Sequence, residues 1–405
     1  MTDYSKNLDN SLLQKFNVKL YGSNYTIYDI INDFLEDNKS EKPFYLIDLA
    51  EIVAAFNKWN KLLPGIKPYY AIKSNPNLAI IEALASLGVH FDCASEAEIK
   101  TIIEVTNDPT RIIFANPCKM SSQIRYARAN DVDLMTFDCE EELYKIKLYH
   151  PYAKLILRLA VDETGSLCKF NKKFGCFIDQ VEELLKISST LKLDVIGFSF
   201  HVGSGCSSPE CFYTAIQTCK QAVDIASNLN INITTIDIGG GFPGNDNNKF
   251  EQIAHQINLS INDFFKERVN DKTIQFIAEP GRYFVEKSHT LVLNIIGKKK
   301  QKDNNGDKTI IYYLNDGVYN SFNCILYDYR VPVILPFNER DGVLHKSILF
   351  GPTCDSIDLI TDNIMLPELA IGEWVYVENF GAYTVAASSE FNGIKKPINK
   401  YIYCS

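Results

Sequence analysis

The sequence lacks several features that would place it in a specialised class. It contains no run of about 18 apolar residues, so no membrane-spanning helix is predicted. The first residues, MTDYSKNLDN, are polar and contain no apolar core of a secretory signal. None of the eleven cysteines lies in a CxxC pair. We therefore expect no metal site, free thiols in a reducing compartment and a cytoplasmic location.

The chain also lacks an excess of positive charge. Its 405 residues include 41 Lys and Arg against 50 Asp and Glu, which gives a net charge of −9. This balance disfavours nucleic acid as a partner and is compatible with a small cationic substrate. With 46% hydrophobic and 22% charged residues, the composition is typical of a globular chain with one large and one smaller domain.

Eight short apolar segments end in polar or glycine residues, and most alternate with helical patterns. One such helix, in SEAEIKTIIEV, is predicted to begin with a capping box formed by Ser95 and Glu98. Near-continuous apolar strands that alternate with helices predict a parallel (β/α)8 barrel. The segments are YYAIK (69–73), VHFDCAS (89–95), RIIFANP (111–117), VDLMTFD (132–138), KLILRLA (154–160), VIGFSFHVG (195–203), TTIDIGGG (234–241) and IQFIAEPG (274–281).

The pattern changes after residue 285. HTLVLNIIGKKK, TIIYYL, SILFGPTCD and EWVYVENFGAY are strand-like segments without long helices between them, which predicts a mostly antiparallel β domain. KKKQKDNNGDK (298–308) is predicted to be a hairpin tip. FNVKLYGSNYTI has strand character and is expected to join the same domain. The predicted domains are therefore residues 1–45 (an N-terminal segment), 46–285 (the barrel) and 286–405 (the β domain).

The ends of the eight predicted strands carry most of the candidate functional residues. In a barrel of this kind, the carboxyl ends of all strands meet on one face, where the chemistry takes place. Lys73 is therefore predicted to lie within a ring of polar residues, and a lone surface lysine is the weaker interpretation. The other members of the ring are Asp92, Asn116, Asp138, Arg158, His201, the glycines 239–241 and Glu279.

This set of residues indicates a phosphorylated cofactor. The turn DIGGGFPG offers backbone N–H groups that can approach an anion closely, and AEPGR adds Arg282, whose guanidinium suits phosphate. A lysine that can form a Schiff base beside a phosphate site points to pyridoxal 5'-phosphate. A tight turn without any ligand is the competing interpretation of the glycines.

Two residues of the ring, Glu279 and His201, have roles that depend on this cofactor. Glu279 against the pyridine nitrogen would keep that nitrogen protonated and the ring a strong electron sink, which favours decarboxylation over racemisation. His201 could stack on the ring, although a purely structural histidine remains the alternative. The capping box by itself accounts for Glu98 without any cofactor.

Eight motifs together resemble the eukaryotic-type ornithine decarboxylases, which belong to the alanine-racemase-fold pyridoxal phosphate decarboxylases. The resemblance extends over roughly residues 25 to 403. It implies decarboxylation of L-ornithine to putrescine and carbon dioxide, the first step of polyamine biosynthesis. The motifs are YYAIKSNP, FDCAS, FHVGSGC, DIGGGFPG, AEPGR, NDGVYNSFNCILYD, GPTCDSID and NFGAYTVAASSEFNG.

The resemblance also implies a role for each matching residue. Lys73 would hold the cofactor covalently, Glu279 and His201 would contact its ring, and Cys354 would return a proton to the substrate carbon. The other cofactor-binding residues would be Asp92, Glu98, Arg158, Ser204, Gly239, Gly240, Gly241, Gly281, Arg282 and Tyr383. Asp328 and Asp355 would bind the distal ammonium of the substrate, and Tyr327 would also belong to the substrate site.

The family pattern further implies a homodimer with shared active sites, in which Lys173 and Asp358 pair across the interface. Asn320 stands where the family usually has glycine, so we expect a different local turn. Segment 121–144 matches the antizyme-binding region but has two basic and six acidic residues, which argues against antizyme binding. The alternatives are a sister decarboxylase acting on lysine, arginine or diaminopimelate, and an inactive regulator like the antizyme inhibitors.

Overall fold

The computed structural model describes residues 8–37, 41–161, 172–206, 208–302, 308–328, 330–338, 340 and 342–404. The chain divides into two compact units. One contains Val53–Lys73 and Asn77–Phe284, and the other contains Asp9–Ile52, Ser74–Pro76 and the chain from Val285 onward. In the part of the chain that is described, no helix combines the length and the apolar character needed to cross a membrane.

The chain begins with short elements that precede the barrel. Asp9 caps the first helix, because its side chain accepts a hydrogen bond from the Ser11 N–H at 3.2 Å. The elements of this part are α1 (Asn10–Lys15), β1 (Lys19–Tyr21), α2 (Ile27–Asp37), β2 (Phe44–Asp48) and α3 (Leu49–Leu62).

The predicted (β/α)8 barrel is confirmed. Eight parallel strands close in the order β10-β3-β4-β5-β6-β7-β8-β9. Isoleucines from three strands, Ile113, Ile156 and Ile277, pack with Tyr69 in one buried cluster, which explains the near-continuous apolar character of these segments. The strands are β3 (Ile66–Ala71), β4 (His90–Cys93), β5 (Ile112–Phe114), β6 (Leu134–Phe137), β7 (Lys154–Leu159), β8 (Asp194–Phe200), β9 (Thr235–Asp237) and β10 (Gln275–Ala278).

A helix follows each barrel strand, and the last one, which is short, comes after the final strand β10. In the first of them the Asn77 side chain accepts a hydrogen bond from the Ala79 N–H at 2.9 Å, and Gly88 ends the helix with φ +90°. An N-cap of this kind stabilises a helix by about 1 kcal/mol. The helices are α4 (Leu78–Leu87), α5 (Glu96–Thr106), α6 (Ser121–Ala129), α7 (Glu140–Tyr149), α8 (Val181–Thr190), α9 (Glu210–Asn228), α10 (Asn247–Asn270) and α11 (Arg282–Val285).

The second unit is built on a mostly antiparallel sheet, as predicted. Its main strand order is β1-β17-β2-β11-β12-β14-β15, and β16 pairs with β11 and β13. Three pairings, β1 with β17, β17 with β2, and β12 with β14, are parallel. The elements are β11 (His289–Lys302), β12 (Lys308–Leu314), α12 (Cys324–Tyr327), β13 (Leu335–Pro336), β14 (Leu344–Phe350), β15 (Leu359–Pro367), β16 (Trp374–Val377) and β17 (Ile398–Cys404).

Two expectations about this sheet are resolved by its pairing. The N-terminal strands β1 and β2 are part of it, so the N-terminal segment contributes to the β unit. β11 and β12 form the predicted hairpin, with Lys302 opposite Lys308. The predicted tip, 298–308, was too long, because residues 298–302 belong to β11 and Lys308 begins β12; residues 303–307 lie outside the described residues.

Candidate active site

Lys73 lies at the carboxyl end of β3, in a single 3₁₀ turn that spans Ile72–Ser74. Its Nζ is 2.8 Å from Oδ2 of Asp92, which belongs to the neighbouring strand β4. The Lys73 side chain is 45% exposed whereas that of Asp92 is 1% exposed. The amine is therefore anchored by a buried carboxylate and still accessible, as a side chain that must react with a ligand requires.

His201 follows the last residue of β8 and is held by the chain around it. Its Nδ1 accepts a hydrogen bond from the Gly203 N–H at 2.9 Å. Burial, with Arg158 and Lys73 nearby, lowers the pKa of His201 well below its ordinary value. The imidazole is thus neutral, and a neutral flat ring can stack on an aromatic cofactor without adding charge.

The glycine turn after β9 packs so closely that side chains do not fit. Gly239 has φ +62°, and a Cβ there would lie 2.1 Å from the Phe200 carbonyl oxygen. A Cβ on Gly240 would lie 2.8 Å from Nε2 of His201. Gly241 has φ +100° and meets the Gly203 carbonyl in the same way. The turn needs glycine at these positions, as the sequence predicts for a backbone that approaches an anion.

The loop after β10 carries the predicted cationic residue. Arg282, immediately after Gly281, begins α11, and its Nη2 donates to Ser204 Oγ at 3.5 Å. A guanidinium and a hydroxyl brought together near a glycine turn are suitable donors for a phosphate. These three elements come from the loops after β8, β9 and β10, as expected of a barrel phosphate site.

Glu279 follows β10, and the structure places an unpredicted residue beside it. The Asp237 carboxyl, at the end of β9, interacts with that of Glu279. Burial and the proximity of the other carboxylates, including Asp92, raise the pKa of Glu279 well above its ordinary value. An acidic residue inside the apolar segment TTIDIGGG was the only sequence signal for Asp237.

Arg158, another member of the ring, and Glu98, predicted from its capping box, have clear local contacts. The Arg158 guanidinium lies 5.3 Å from the Phe174 ring centroid. The capping box around Glu98 is only half right: Ser95 Oγ accepts from the Glu98 N–H at 3.4 Å, but Glu98 Oε2 accepts from the Ala94 N–H at 2.6 Å and not from Ser95. Burial raises the pKa of Glu98.

The remaining two polar side chains of the ring accept hydrogen bonds from nearby backbone N–H groups. Asn116 Oδ1 accepts a hydrogen bond from the Cys118 N–H at 3.3 Å. Asp138 Oδ2 accepts from the Gly175 N–H at 2.8 Å. These contacts favour a structural role for both residues.

In the β unit, Cys354 and Asp355 lie on the loop between β14 and β15. Cys354 is exposed, and its N–H donates to Asn392 Oδ1 at 3.2 Å. Asp355 Oδ2 accepts a hydrogen bond from the Tyr319 hydroxyl, which lowers the pKa of Asp355. Tyr319 in turn stacks on Phe391, with ring centroids 4.3 Å apart. Tyr319 and Asn392 were not predicted, because no local pattern links loops so far apart in sequence.

Asp358 joins two loops of the β unit. Its Oδ1 accepts from the Val318 N–H at 2.8 Å, and its Oδ2 accepts from the Thr353 N–H at 3.0 Å and the Thr353 hydroxyl at 2.7 Å. The side chain is 1% exposed. These three donors already give Asp358 a role within one chain, and its pairing with Lys173 of a second chain stays a prediction.

The other predicted residues of the β unit lie at turns. Tyr327 is 69% exposed at the end of α12, and Asp328 follows it. Tyr383 has φ +56°, and its N–H donates to the Ser74 carbonyl at 2.9 Å. An aromatic residue in the left-handed region is strained, and such strain clusters at functional sites.

Asn320 adopts φ −122° and ψ −115°, so its position does not require the positive φ that favours glycine. Its side chain is buried and donates to the Lys395 carbonyl at 3.3 Å. The asparagine therefore adds a contact that glycine cannot make.

The barrel residues fit pyridoxal phosphate chemically. They supply an accessible amine, a buried carboxyl, a neutral imidazole and a glycine turn beside Ser204 and Arg282. Two buried oxygens, Asp92 Oδ1 and Asp237 Oδ2, have no hydrogen-bond partner within the described ranges. Buried acceptors without a donor are costly, so a ligand or solvent molecule is expected near them.

Comparison with known proteins agrees with this chemistry. The family model "Pyridoxal-dependent decarboxylase, pyridoxal binding domain" matches residues 49–286. Ornithine decarboxylase of Rattus norvegicus is 41% identical over 405 residues, covering 96% of this chain and 87% of the relative. Antizyme inhibitor 2 of Xenopus laevis is 42% identical over 379 residues, covering 91% and 82%.

Among solved structures, the arginine decarboxylase of Paramecium bursaria Chlorella virus bound to agmatine is similar throughout. It aligns with a TM-score of 0.87 and 34% identity, covering 94% of this chain and 100% of the viral one.

Proposed function

The chain belongs to the pyridoxal-dependent decarboxylase family, and from this premise we propose that it decarboxylates L-ornithine to putrescine and carbon dioxide, the first step of polyamine biosynthesis. The observation that carries the proposal is the Lys73 amine, held 2.8 Å from the buried Asp92 at the barrel end that also carries Glu279 and the glycine turn. The 41% identity to rat ornithine decarboxylase over 96% of the chain favours ornithine among the cationic amino acids.

The barrel residues would bind and orient the cofactor. Lys73 Nζ would hold it covalently, with Asp92 positioning the amine. Ser204, the glycine turn and Arg282 would hold its phosphate. When bound, pyridoxal phosphate supplies the sink for the electron pair that the departing carbon dioxide leaves behind. The carboxyl of Glu279 would accept a hydrogen bond from the ring nitrogen.

The β unit would act on the substrate. Asp355 and Asp328 would bind the distal ammonium, beside Tyr327. Cys354 Sγ would give a proton to the substrate Cα, so that ornithine and one proton become putrescine and carbon dioxide. Tyr383 would complete the phosphate site.

We also propose a homodimer whose two active sites each take residues from both chains, and a cytoplasmic location, which cell fractionation would check. Residues 46–285 remain the proposed cofactor domain, between the N-terminal segment 1–45 and the β domain 286–405. The family match at 49–286 supports these limits.

The function is tested by incubating the purified protein and pyridoxal phosphate with each candidate amino acid and identifying the amine. We expect ornithine to exceed lysine by a large factor in kcat/KM, and arginine to be poorer still, because a buried site built for one ammonium position discriminates strongly. The Lys73→Ala protein is the matched blank. Equal efficiency on lysine would overturn the substrate assignment, and no turnover on any amino acid would favour a regulator.

Regulation by antizyme is expected to be weak. Segment 121–144 has a net charge of −4, from two basic and six acidic residues, whereas antizyme is expected to meet a basic surface there. Gel filtration of the protein mixed with a mammalian antizyme at physiological salt checks this expectation. A stable complex would refute it.

A further inference from the structure

Asp237 and Glu279 form a pair of carboxyls inside the barrel unit. Asp237 ends β9 and is completely buried. Its Oδ1 accepts a hydrogen bond from the Gly239 N–H at 2.9 Å, and Oδ2 has no donor among the residues that the structure describes. The group against Asp237 is the Glu279 carboxyl, which is itself an acceptor.

The backbone fixes this arrangement. β9 and β10 are paired with Asp237 opposite Ile277, two residues before Glu279. The Glu279 N–H donates to the Gly239 carbonyl at 2.7 Å, so the same glycine bonds to the Asp237 side chain and the Glu279 backbone. Because a Cβ on Gly239 would meet the Phe200 carbonyl, this glycine has little freedom to move.

Two interacting carboxyls, one of them completely buried, cannot both ionise at low cost. Burial raises the pKa of Asp237 to about 7 and that of Glu279 well above its ordinary value. Asp92 faces both groups and adds to the effect, whereas Arg158 and Lys73 oppose it at Asp237 and Glu279 respectively. We therefore expect the pair to retain one proton when isolated carboxyls are ionised.

We propose that Asp237 is a positioning residue that shares this proton with Glu279 and, once a protonated pyridine ring faces Glu279, keeps the proton and donates a hydrogen bond to the Glu279 carboxylate. The cation favours the ionised form of Glu279, so the proton settles on Asp237 Oδ2, the oxygen without a donor. Glu279 is then fixed in rotation and keeps its other oxygen for the ring N–H. This inference rests on the proposed cofactor chemistry.

The first test needs neither cofactor nor substrate. Infrared spectroscopy of the apoprotein at neutral pH should show the carbonyl stretch of a protonated carboxylic acid. The stretch should weaken in Asp237→Asn and in Glu279→Gln, because each leaves a single carboxyl that receives an amide hydrogen bond. Asp316→Asn is the matched control, since Asp316 is another buried acid whose pKa burial raises to about 7, and its loss should leave the signal of the pair.

The second test uses conservative rescue in the holoenzyme, with whichever amino acid it decarboxylates. Asp237→Asn can still donate to Glu279 and accept from Gly239, so kcat should stay within about threefold of wild type. Asp237→Ala should lower kcat about 10- to 100-fold with KM little changed.

An acid signal that neither Asp237→Asn nor Glu279→Gln weakens relative to wild type would overturn the proposal, because Asp316 and other buried acids account for what remains in every variant. An Asp237→Asn protein as impaired as Asp237→Ala would do the same. If Asp237→Ala does not fold, the infrared comparison of Asp237→Asn with wild type decides. Since that signal does not involve a substrate, its loss or survival is independent of whether ornithine is decarboxylated.

Discussion

The candidate residues of the barrel differ from those of the β unit in how they are held. Asp92 and Asp237 are at most 1% exposed, and burial dominates the pKa shifts of the barrel pair. In the β unit Cys354 is exposed and Tyr327 is 69% exposed, and the pKa of Asp355 is lowered by a hydrogen bond. The burial of the barrel side chains would suit the permanently bound cofactor proposed above, and the exposure of those in the β unit would suit the substrate proposed to bind there.

Among the variants considered, removal of the Lys73 amine should cause the largest loss of activity. Lys73→Ala should lose about 10²–10⁴-fold in activity, the range expected when a positioned reactive side chain is removed. Borohydride treatment of the wild-type holoprotein followed by peptide mapping should find the cofactor on Lys73. Lys67→Ala is the control, because Lys67 is an exposed residue of the same strand. A labelled peptide elsewhere would contradict the assignment.

Glu279→Ala is expected to have the next largest effect. Loss of a charge that stabilises the reacting state typically lowers turnover on the order of a hundredfold. Cofactor binding, measured by absorbance titration, should change much less than kcat. Glu183→Ala on the exposed face of α8 should behave as wild type in both measurements. Near-full turnover of Glu279→Ala with normal cofactor binding would show that the Glu279 carboxyl is not needed for catalysis.

Mixing two inactive proteins tests whether the two groups of residues act across chains. In a two-fold dimer of Lys73→Ala and Cys354→Ala subunits, random exchange makes about half of the dimers mixed, and each mixed dimer has one intact site if sites are shared. About a quarter of wild-type activity should return. Mass spectrometry of the native dimers verifies the exchange. Complete exchange without activity would place Lys73 and Cys354 of one site on the same chain.

The sequence was sufficient to locate the candidate residues at the strand ends of the barrel. It was not sufficient to predict which of them interact. Strand ends such as Lys73 and Glu279 stand out because an apolar segment stops at a polar residue, and the closed barrel brings such ends together. Asp237 was missed because its contact with Glu279 depends on the register of β9 and β10, with Asp237 opposite Ile277. That register is set by the packing of the whole barrel and is not encoded in either segment alone.

The β unit was harder to predict for a related reason. Cys354 and Asp355 could be located only by resemblance, because loops carry no hydrophobic period. The contact between Tyr319 and Asp355 spans 36 residues of sequence, and the stacking of Phe391 on Tyr319 brings in a third loop. Such contacts follow from the folded sheet that brings its loops together.

The smallest expected effect concerns the Tyr319 hydroxyl. Tyr319→Phe keeps the ring that stacks on Phe391 and removes only the hydrogen bond to Asp355, so kcat/KM should fall about three- to tenfold. The hydroxyl lowers the pKa of Asp355, and its loss should raise that pKa toward the ordinary value. Because ammonium binding needs ionised Asp355, activity should decline at a higher pH on the acid side.

The matched control for this variant is Tyr144→Phe on α7. Tyr144 also donates to an exposed carboxylate, Glu140, at 2.8 Å, but it lies on α7 of the barrel unit and has no proposed part in substrate binding. Profiles of kcat/KM against pH for the two variants and wild type show whether Asp355 binds the substrate ammonium. A Tyr319→Phe profile that overlays that of Tyr144→Phe would mean that Asp355 does not bind the substrate ammonium. Asp355 would then serve to order its own loop, and the open side chains of the β unit would need another role.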